Sequence, residues 1–403
     1  MIVLLRHDRA KAGDPTSGTA AGMRADIPAN KPFRTIKLFT RCLRGLHIFL
    51  TFPCHSVARM KPSAAIGKYW KPVQATLAQM ARLILLALTA GGCVSGRPWV
   101  VRIESPSKAI ESDGNGADAT RLSVTTFNVW GLPAWINGAS PSRHARIARA
   151  LEDLGSDVVL LQEVWTRQSY EILSQQAKGE ARTRWTAGAR RKGGFIGQNG
   201  LLTLSRYPIA AAEFRAFTAA SLPDSLMRKG ALKVTLELFP TQRVNVWNVH
   251  LQDGSSNLIR SRQIAQLVQW IDEADDGQVA DIVGGDFNFT PGSREFRRFA
   301  AAVGFSAYQL ASTDPLPTWD GLKAAPSAGE TLDHIFVKPR GASEKVAAQA
   351  RRLFCAARRA DRLSDHMAVE ALLTLRAADV NPLPVRSWNR PVPELAGAAA
   401  VGP

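Results

Sequence analysis

Between residues 121 and 376, short apolar runs alternate with amphipathic stretches. Residues 122–129 alternate as a half-buried strand does, and 157–162 is a brief run of Val and Leu suited to a strand covered on both faces. Between them, Pro141–Leu154 sets Ile147, Leu151 and Leu154 at helical spacing, with Ser140 or Ser142 as cap. Residues 169–176 predict a second helix and 200–204 a further strand, ended by Ser205-Arg206-Tyr207-Pro208. Residues 231–239 and 243–251 are β-rich and joined by Pro240-Thr241-Gln242, which predicts a hairpin. Residues 257–273 return to helical period at Leu258, Ile264, Leu267, Val268 and Ile271. Residues 280–287, 331–337 and 367–375 complete the strands. Hairpins mixed with long crossovers favour an α/β fold of two packed mixed sheets with helices outside, rather than a single doubly wound sheet.

The flanks follow other rules. Residues 1–79 show no sustained period and are assigned to no fold. From Met80 the text becomes a short basic start, the apolar run 83–88, and small residues before Cys93. A run this short cannot span a bilayer, but it fits the core of an export signal. Residues 80–93 resemble a bacterial lipoprotein signal with Cys93 as the lipidated residue, although Ala90 stands where such signals usually carry Leu. A plain secretory signal and a buried apolar helix are the alternatives. Because such signals begin near a chain start, translation is expected to begin at Met80 or Met60. The exported product would then be membrane-anchored or secreted, and it is expected to be a monomer. Residues 94–120 read as a Gly/Ser/Asp-rich linker, 121–376 as the catalytic body, and 377–403 as a Pro/Ala-rich tail.

The formal charge of +17 suggests an anionic partner, nucleic acid or membrane. Residues 1–92, however, hold 14 Lys/Arg against 3 Asp/Glu, so most of the excess lies outside the catalytic body. Of the four cysteines only Cys93 and Cys355 follow the signal, and no pair has zinc-ligand spacing.

Five polar motifs end apolar runs: Phe127-Asn128-Val129-Trp130, Leu161-Gln162-Glu163, Asn248-Val249-His250, Gly285-Asp286-Phe287-Asn288 and Ser364-Asp365-His366. Strand ends of this kind deliver side chains to one shared cleft. Carboxylates, Asn and His without a Cys or an evident nucleophilic Ser suit a hard divalent metal and an activated water, hence phosphoester hydrolysis. Asp286 and Asn288, two apart, would share a face if the strand runs through both; an Asx turn is the other reading. Gly284 and Gly285 would let substrate approach the backbone. Glu163 is a natural Mg²⁺ ligand, or else a surface Glu at a helix start. Asn128 offers an oxygen or an NH₂ donor, or is a turn residue. His366 gains from Asp365 beside it and from Asp333, since a carboxylate on one ring nitrogen leaves the other to take a proton from water. Ser-His-Asp catalysis is the weaker alternative because no Gly-x-Ser-x-Gly elbow occurs.

Together these residues resemble the endonuclease/exonuclease/phosphatase superfamily, with its deoxyribonuclease-I-like fold, over residues 121–376. Phe127 to Pro133, Leu161-Gln162-Glu163-Val164-Trp165, Gly200-Leu201-Leu202, Ser205 to Ile209, Lys229-Gly230 and His250-Leu251 are most similar to the neutral sphingomyelinase branch. The resemblance implies a four-layer α/β sandwich and Mg²⁺-dependent cleavage of a P–O bond by water, with Mn²⁺ or Ca²⁺ as other ions. It implies Glu163 as metal ligand with Asn128, and Asp365 supporting the metal side. Asp286 and Asn288 would orient water and phosphate, His366 would be general base oriented by Asp333, and His250 would stabilise the transition-state charge. Lys229 is implied as a substrate contact. The sequence departs from that branch at Gln252-Asp253, at His334 in place of an aromatic, and in lacking a recognisable long apolar hairpin. A phospholipid such as sphingomyelin is the first expected substrate, DNA or RNA the second, and a sugar or inositol phosphate the third.

Overall fold

The computed structural model describes residues 99, 101–105, 119–137, 141–175, 185–190, 196–239, 242–254, 257–275, 280–306, 317–321, 329–339, 345–355 and 361–376. All lie within one compact unit, Leu83–Pro403. The lipoprotein-like segment with Cys93, the first 79 residues and the tail fall outside the described residues.

In chain order the strands are β1 (Val101–Glu104), β2 (Ala119–Asn128), β3 (Val158–Gln162), β4 (Trp185–Ala189), β5 (Leu202–Ser205), β6 (Ile209–Ala216), β7 (Gly230–Phe239), β8 (Gln242–His250), β9 (Ala280–Asp286), β10 (Phe305–Ser306), β11 (Asp333–Lys338), β12 (Lys345–Leu353) and β13 (Ala368–Arg376). The main helices are α1 (Pro141–Leu154), α2 (Arg167–Gln175), α3 (Asn257–Ala274) and α4 (Arg294–Val303). A seven-stranded sheet runs β1-β4-β5-β3-β2-β13-β12 and a six-stranded sheet runs β10-β11-β9-β8-β7-β6. The expected hairpin is present as antiparallel β7 and β8.

Strand alternation explains the layering. Leu122 and Val124 on β2, Val158 and Leu160 on β3, Val244 and Val246 on β8, and Ile282 on β9 meet in the core between the sheets. Phe127, Val159 and Leu161 point the other way and cover Ile147, Leu151 and Leu154 of α1. On the far side Trp247, Val249 and Val283 pack on Ile264, Leu267 and Ile271 of α3 and on Phe296, Phe299 and Val303 of α4. The result is helices, sheet, sheet, helices, the four-layer sandwich expected from the sequence. Each fully buried aliphatic side chain contributes about 1.5–3 kcal/mol.

The inner face changes character along the strands. Every second residue reads Leu122, Val124, Thr126, Asn128 on β2 and Val158, Leu160, Gln162 on β3. On β8 it reads Val244, Val246, Asn248, His250, and on β9 Ala280, Ile282, Gly284, Asp286. Parallel pairing sets Asn128 beside Gln162 and His250 beside Asp286, while antiparallel pairing sets Asp333 beside Asp286. The apolar core therefore gives way to polar groups at one end of both sheets.

Two expectations are corrected. Within the 94–120 linker, Val101–Glu104 forms an edge strand paired with β4, and Trp99 packs edge-on against Phe214 at 4.8 Å. Gly284 and Gly285 serve sheet packing rather than substrate approach. A Cβ on Gly284 would lie 2.6 Å from Leu160 of the other sheet, and one on Gly285 1.9 Å from the Val249 carbonyl oxygen.

Candidate active site

The polar strand ends open into a cleft of about 640 Å³ lined by Glu163, Lys229, His250, Asp286, Asn288, Asp365 and His366. At its base the two sheets are tied by hydrogen bonds. Gln162 Nε2 donates to Asn248 Oδ1 at 2.8 Å, and Asn248 Nδ2 donates to the carbonyls of Leu161 and Leu202 at 3.0 and 3.1 Å. Asn248, the first residue of its motif, thus acts beneath the site as a bridge between layers.

Asn128 spans the site above this bridge. Its Nδ2 donates to Glu163 Oε1 at 3.1 Å and to Asp286 Oδ2 at 2.9 Å, while its Oδ1 accepts the Trp130 backbone N–H at 3.0 Å. The amide nitrogen faces the carboxylates, so Asn128 positions Glu163 and Asp286 and turns its oxygen to the backbone rather than to a metal. Glu163 Oε2 also accepts from Trp165 Nε1 at 3.2 Å.

The strand ends at Asp286, so Asp286 and Asn288 do not share a strand face. Asn288 has φ 52° and its N–H donates to Asp286 Oδ1 at 3.0 Å, an Asx turn inside the functional site. Its Nδ2 donates to the Leu251 carbonyl at 3.1 Å. Trp130 and Glu163 also hold left-handed backbones, at φ 47° and 60°. Three of the four non-glycine residues with positive φ among the described residues thus border the site, where surrounding contacts hold local strain.

His366 Nδ1 lies 2.8 Å from Asp333 Oδ2, and its Nε2 lies 3.7 Å from Asp286 Oδ2. Thr318 Oγ1 accepts the Asp333 backbone N–H at 3.1 Å, fixing the strand start that presents the carboxylate. Burial opposes the His366 imidazolium, but Asp333 and Asp286 more than offset it and hold its pKa well above 6.5. Asp286 is pushed up to about 7, first by burial and then by Asp333, against the lowering influence of His366. His250 Nε2 is 3.5 Å from the same Asp286 oxygen. Burial, with Lys229 and His366 nearby, holds the His250 pKa well below 6.5, so its imidazole is neutral.

Lys229 lines the same cleft. Its Nζ lies 2.7 Å from Asp224 Oδ2 and donates to the Leu251 carbonyl at 3.0 Å. His334 fills the aromatic position of its motif by packing: it stacks on Phe289 at 5.3 Å and meets Phe287, Phe296 and Phe336. Burial lowers its pKa to about 4, which keeps it neutral and compatible with that cluster. Trp319 and Thr318 were not singled out by the sequence, although Trp319 Nε1 lies 3.4 Å from Asp365 Oδ2.

Two groups of side chains could hold an ion. Asp286, Asp333 and His366 present ligand atoms within 4.8 Å of one another. Their short contact is the His366–Asp333 hydrogen bond. Glu163 and Asp365 fit a hard cation better. Burial raises the pKa of both, and Asp365 raises that of Glu163 further. Two half-buried carboxylates that repel each other at the edge of a cleft have the donor chemistry that a hard divalent cation answers.

A model of the endonuclease/exonuclease/phosphatase family matches residues 125–366, more than half of the chain, and the chain belongs to that family. Its relatives lie on the sphingomyelinase-like side. A candidate neutral sphingomyelinase of Drosophila melanogaster is 28% identical over 185 residues, 42% of this chain and 40% of that protein. Sphingomyelin phosphodiesterase 2 of Homo sapiens is 25% identical over 183 residues, 42% of each. The matches therefore span less than half the length of these relatives. Among solved structures, a Staphylococcus aureus beta toxin mutant with bound magnesium ions superposes with a TM-score of 0.50 at 19% identity, covering 63% of this chain and 99% of that one. An endonuclease/exonuclease/phosphatase from Bacteroides vulgatus gives 0.50 at 19% identity, covering 64% and 99%. These likenesses establish the fold.

Proposed function

We propose that the protein is a Mg²⁺-dependent phosphodiesterase that hydrolyses a phospholipid such as sphingomyelin by phospholipase C-type cleavage. The observation that carries this reading is one cleft holding the His366–Asp333 pair, the Glu163–Asp365 pair and apolar walls. The walls come from Leu132 and Ile136 on one segment and Pro223, Leu226 and Met227 on another. The relatives named as sphingomyelin phosphodiesterases support the same choice.

In this mechanism His366 Nε2 takes a proton from water as the oxygen attacks phosphorus, and the P–O bond to the lipid alcohol breaks; the leaving oxygen takes up a proton from solvent, and the His366 imidazolium later returns its own to solvent. Asp333 holds Nδ1 and the tautomer that frees Nε2, and it stabilises the imidazolium that forms. Neutral His250 serves as a hydrogen-bond donor to a phosphoryl oxygen, where charge accumulates. Asn288, tethered through its amide to Leu251, lines the cleft and orients water or substrate. Glu163 and Asp365 would hold the divalent ion, whose charge would counter that of the phosphate.

The nuclease reading needs a run of free cations along the cleft. Among the described residues, the two Lys/Arg side chains lining it are occupied. Lys229 meets Asp224 and Leu251, and Arg260 donates to the Gly254 and Gln252 carbonyls and, at 2.5 Å, to Asn257 Oδ1. We also propose that Cys93 carries a lipid anchor that raises the effective concentration of membrane substrate; Cys93→Ser should abolish metabolic labelling with palmitate. The substrate reading is tested by presenting the full chain and Mg²⁺ with sphingomyelin vesicles, supercoiled DNA and bis-p-nitrophenyl phosphate in parallel. Vesicle turnover is expected; DNA nicking without it would transfer the protein to the nuclease reading.

A further inference from the structure

We propose that Arg143, on the first turn of α1, is a positioning residue that clamps together the two chain segments carrying the metal-side residues. The inference rests on the reading of Glu163 and Asp365 as the pair that holds the ion. The first segment is the exit of β2, Asn128 to Trp130. The second is the approach to β13, which bears Asp365 and His366. They are more than 230 residues apart in sequence, and no strand pairing joins them at this point.

The guanidinium makes the join. Arg143 Nη1 donates to the Val129 carbonyl at 2.8 Å and to the Leu363 carbonyl at 2.6 Å, and Nη2 donates to the Trp130 carbonyl at 2.7 Å. Its Cζ stands 5.9 Å from the centroid of the Trp130 ring. A second seam runs alongside, where Ser364 Oγ donates to the Asn128 carbonyl at 2.7 Å. One planar fork thus satisfies three carbonyls on two segments, which a Lys ammonium cannot reproduce with the same geometry. Arg143 is half-buried, and a hydrophobic residue in its place would leave these three carbonyls without that donor.

The consequence is geometric. Trp130 keeps its left-handed backbone between the Asn128 side chain and the Arg143 fork, and Asn128 in turn holds Glu163. Leu363 lies two residues before Asp365. Arg143 therefore sets how far the carboxylate of Asp365 stands from that of Glu163, and with it the fit of the ion. Groups that support metal ligands from behind typically alter affinity 10–100-fold when removed.

The test is a Mn²⁺ titration of the full chain followed by electron paramagnetic resonance, which reads free ion without any turnover. Wild type, Glu163→Gln, Arg143→Met, Arg143→Lys and Arg146→Met are compared. Arg146 sits on the same helix and donates to the Asp361 carbonyl at 2.7 Å, so it supports the same loop without touching the Asn128 segment. We expect Arg143→Met to weaken Mn²⁺ binding about tenfold or more, Arg143→Lys to weaken it less, and Arg146→Met to leave it unchanged. In turnover assays the half-saturating metal concentration should rise while kcat at saturating metal largely returns. If Arg143→Met does not fold, Arg143→Lys alone decides, and Mn²⁺ affinity equal to wild type would overturn the clamp. Loss of affinity in Arg146→Met as large as in Arg143→Met would also overturn it, because general loosening of the loop would then suffice. If wild type and Glu163→Gln bind Mn²⁺ equally poorly, the metal reading itself fails and the clamp falls with it.

Discussion

In the proposed mechanism Asp333 helps to set the pH at which His366 acts. Only the neutral imidazole accepts a proton, so kcat falls as pH drops through the His366 pKa, which the facing carboxylates hold well above 6.5. Asp333→Asn removes one of those charges. The acid limb of the pH–kcat profile should move to lower pH, and kcat should fall about 10²–10⁴-fold; an unmoved limb would separate Asp333 from the base. His334 offers a second residue-scale prediction. Its folded pKa of about 4 lies below the 6.5 of the unfolded chain, so the unfolded state binds the proton more readily. Stability is therefore full above pH 6.5 and is lost as pH falls towards 4, by about 3 kcal/mol for a shift of this size. His334→Phe should flatten that part of the pH–Tm curve. Glu163 and Asp286 were legible in the sequence because each closes an apolar run, whereas Asp333 opens β11 and His366 stands just before β13; strand register brings such ends together. The orientation of Asn128 was not legible, since motif spacing leaves open which end of an amide faces the cleft. The pairing of Lys229 with Asp224 depends on how a loop folds back, which no periodicity records.

At the scale of elements, the Gln162–Asn248 bridge ties the two sheets where the apolar layer ends. Asn248→Leu would remove the acceptor that Gln162 reaches across the sheets and the side-chain donor to the carbonyls of Leu161 and Leu202, so unfolding by denaturant should show a loss of about 2–4 kcal/mol. A midpoint within error of wild type would mean that water replaces the bridge. The helices α1 and α3 and the strands β2, β3, β7, β8, β9, β11 and β13 follow from hydrophobic period. β6 and β12 do not, because IAAAEFRA and KVAAQARRL are rich in alanine, which strands disfavour and which find their place by pairing with β7 and β13. Four-residue β1 is too short to display a period, and its placement follows from β4. α4 did carry a signal that the reading passed over. Ser293 caps it, accepting the Phe296 N–H at 3.1 Å, and Phe296, Phe299 and Val303 recur on one face.

Across the whole molecule, a four-layer sandwich holds carboxylates of raised pKa at its cleft. Mg²⁺ binding to Glu163 and Asp365 should raise Tm, since an ion that binds only the folded state stabilises it by about 2.7 kcal/mol at a hundred times its dissociation constant. Glu163→Gln should remove the shift, whereas an equal shift in that variant would place the ion elsewhere. Of the formal charge of +17, most lies in the first 92 residues of the sequence, outside residues 121–376. The central claim is that water attacks the phosphorus of a phospholipid under the control of His366. It is tested most directly by ³¹P NMR of sphingomyelin vesicles with the full chain and Mg²⁺ in H₂¹⁸O. The account predicts phosphocholine carrying one ¹⁸O on phosphorus, lost in His366→Ala and on chelation of the metal. Intact sphingomyelin under conditions where the same preparation nicks DNA, or phosphocholine without the label, would contradict it.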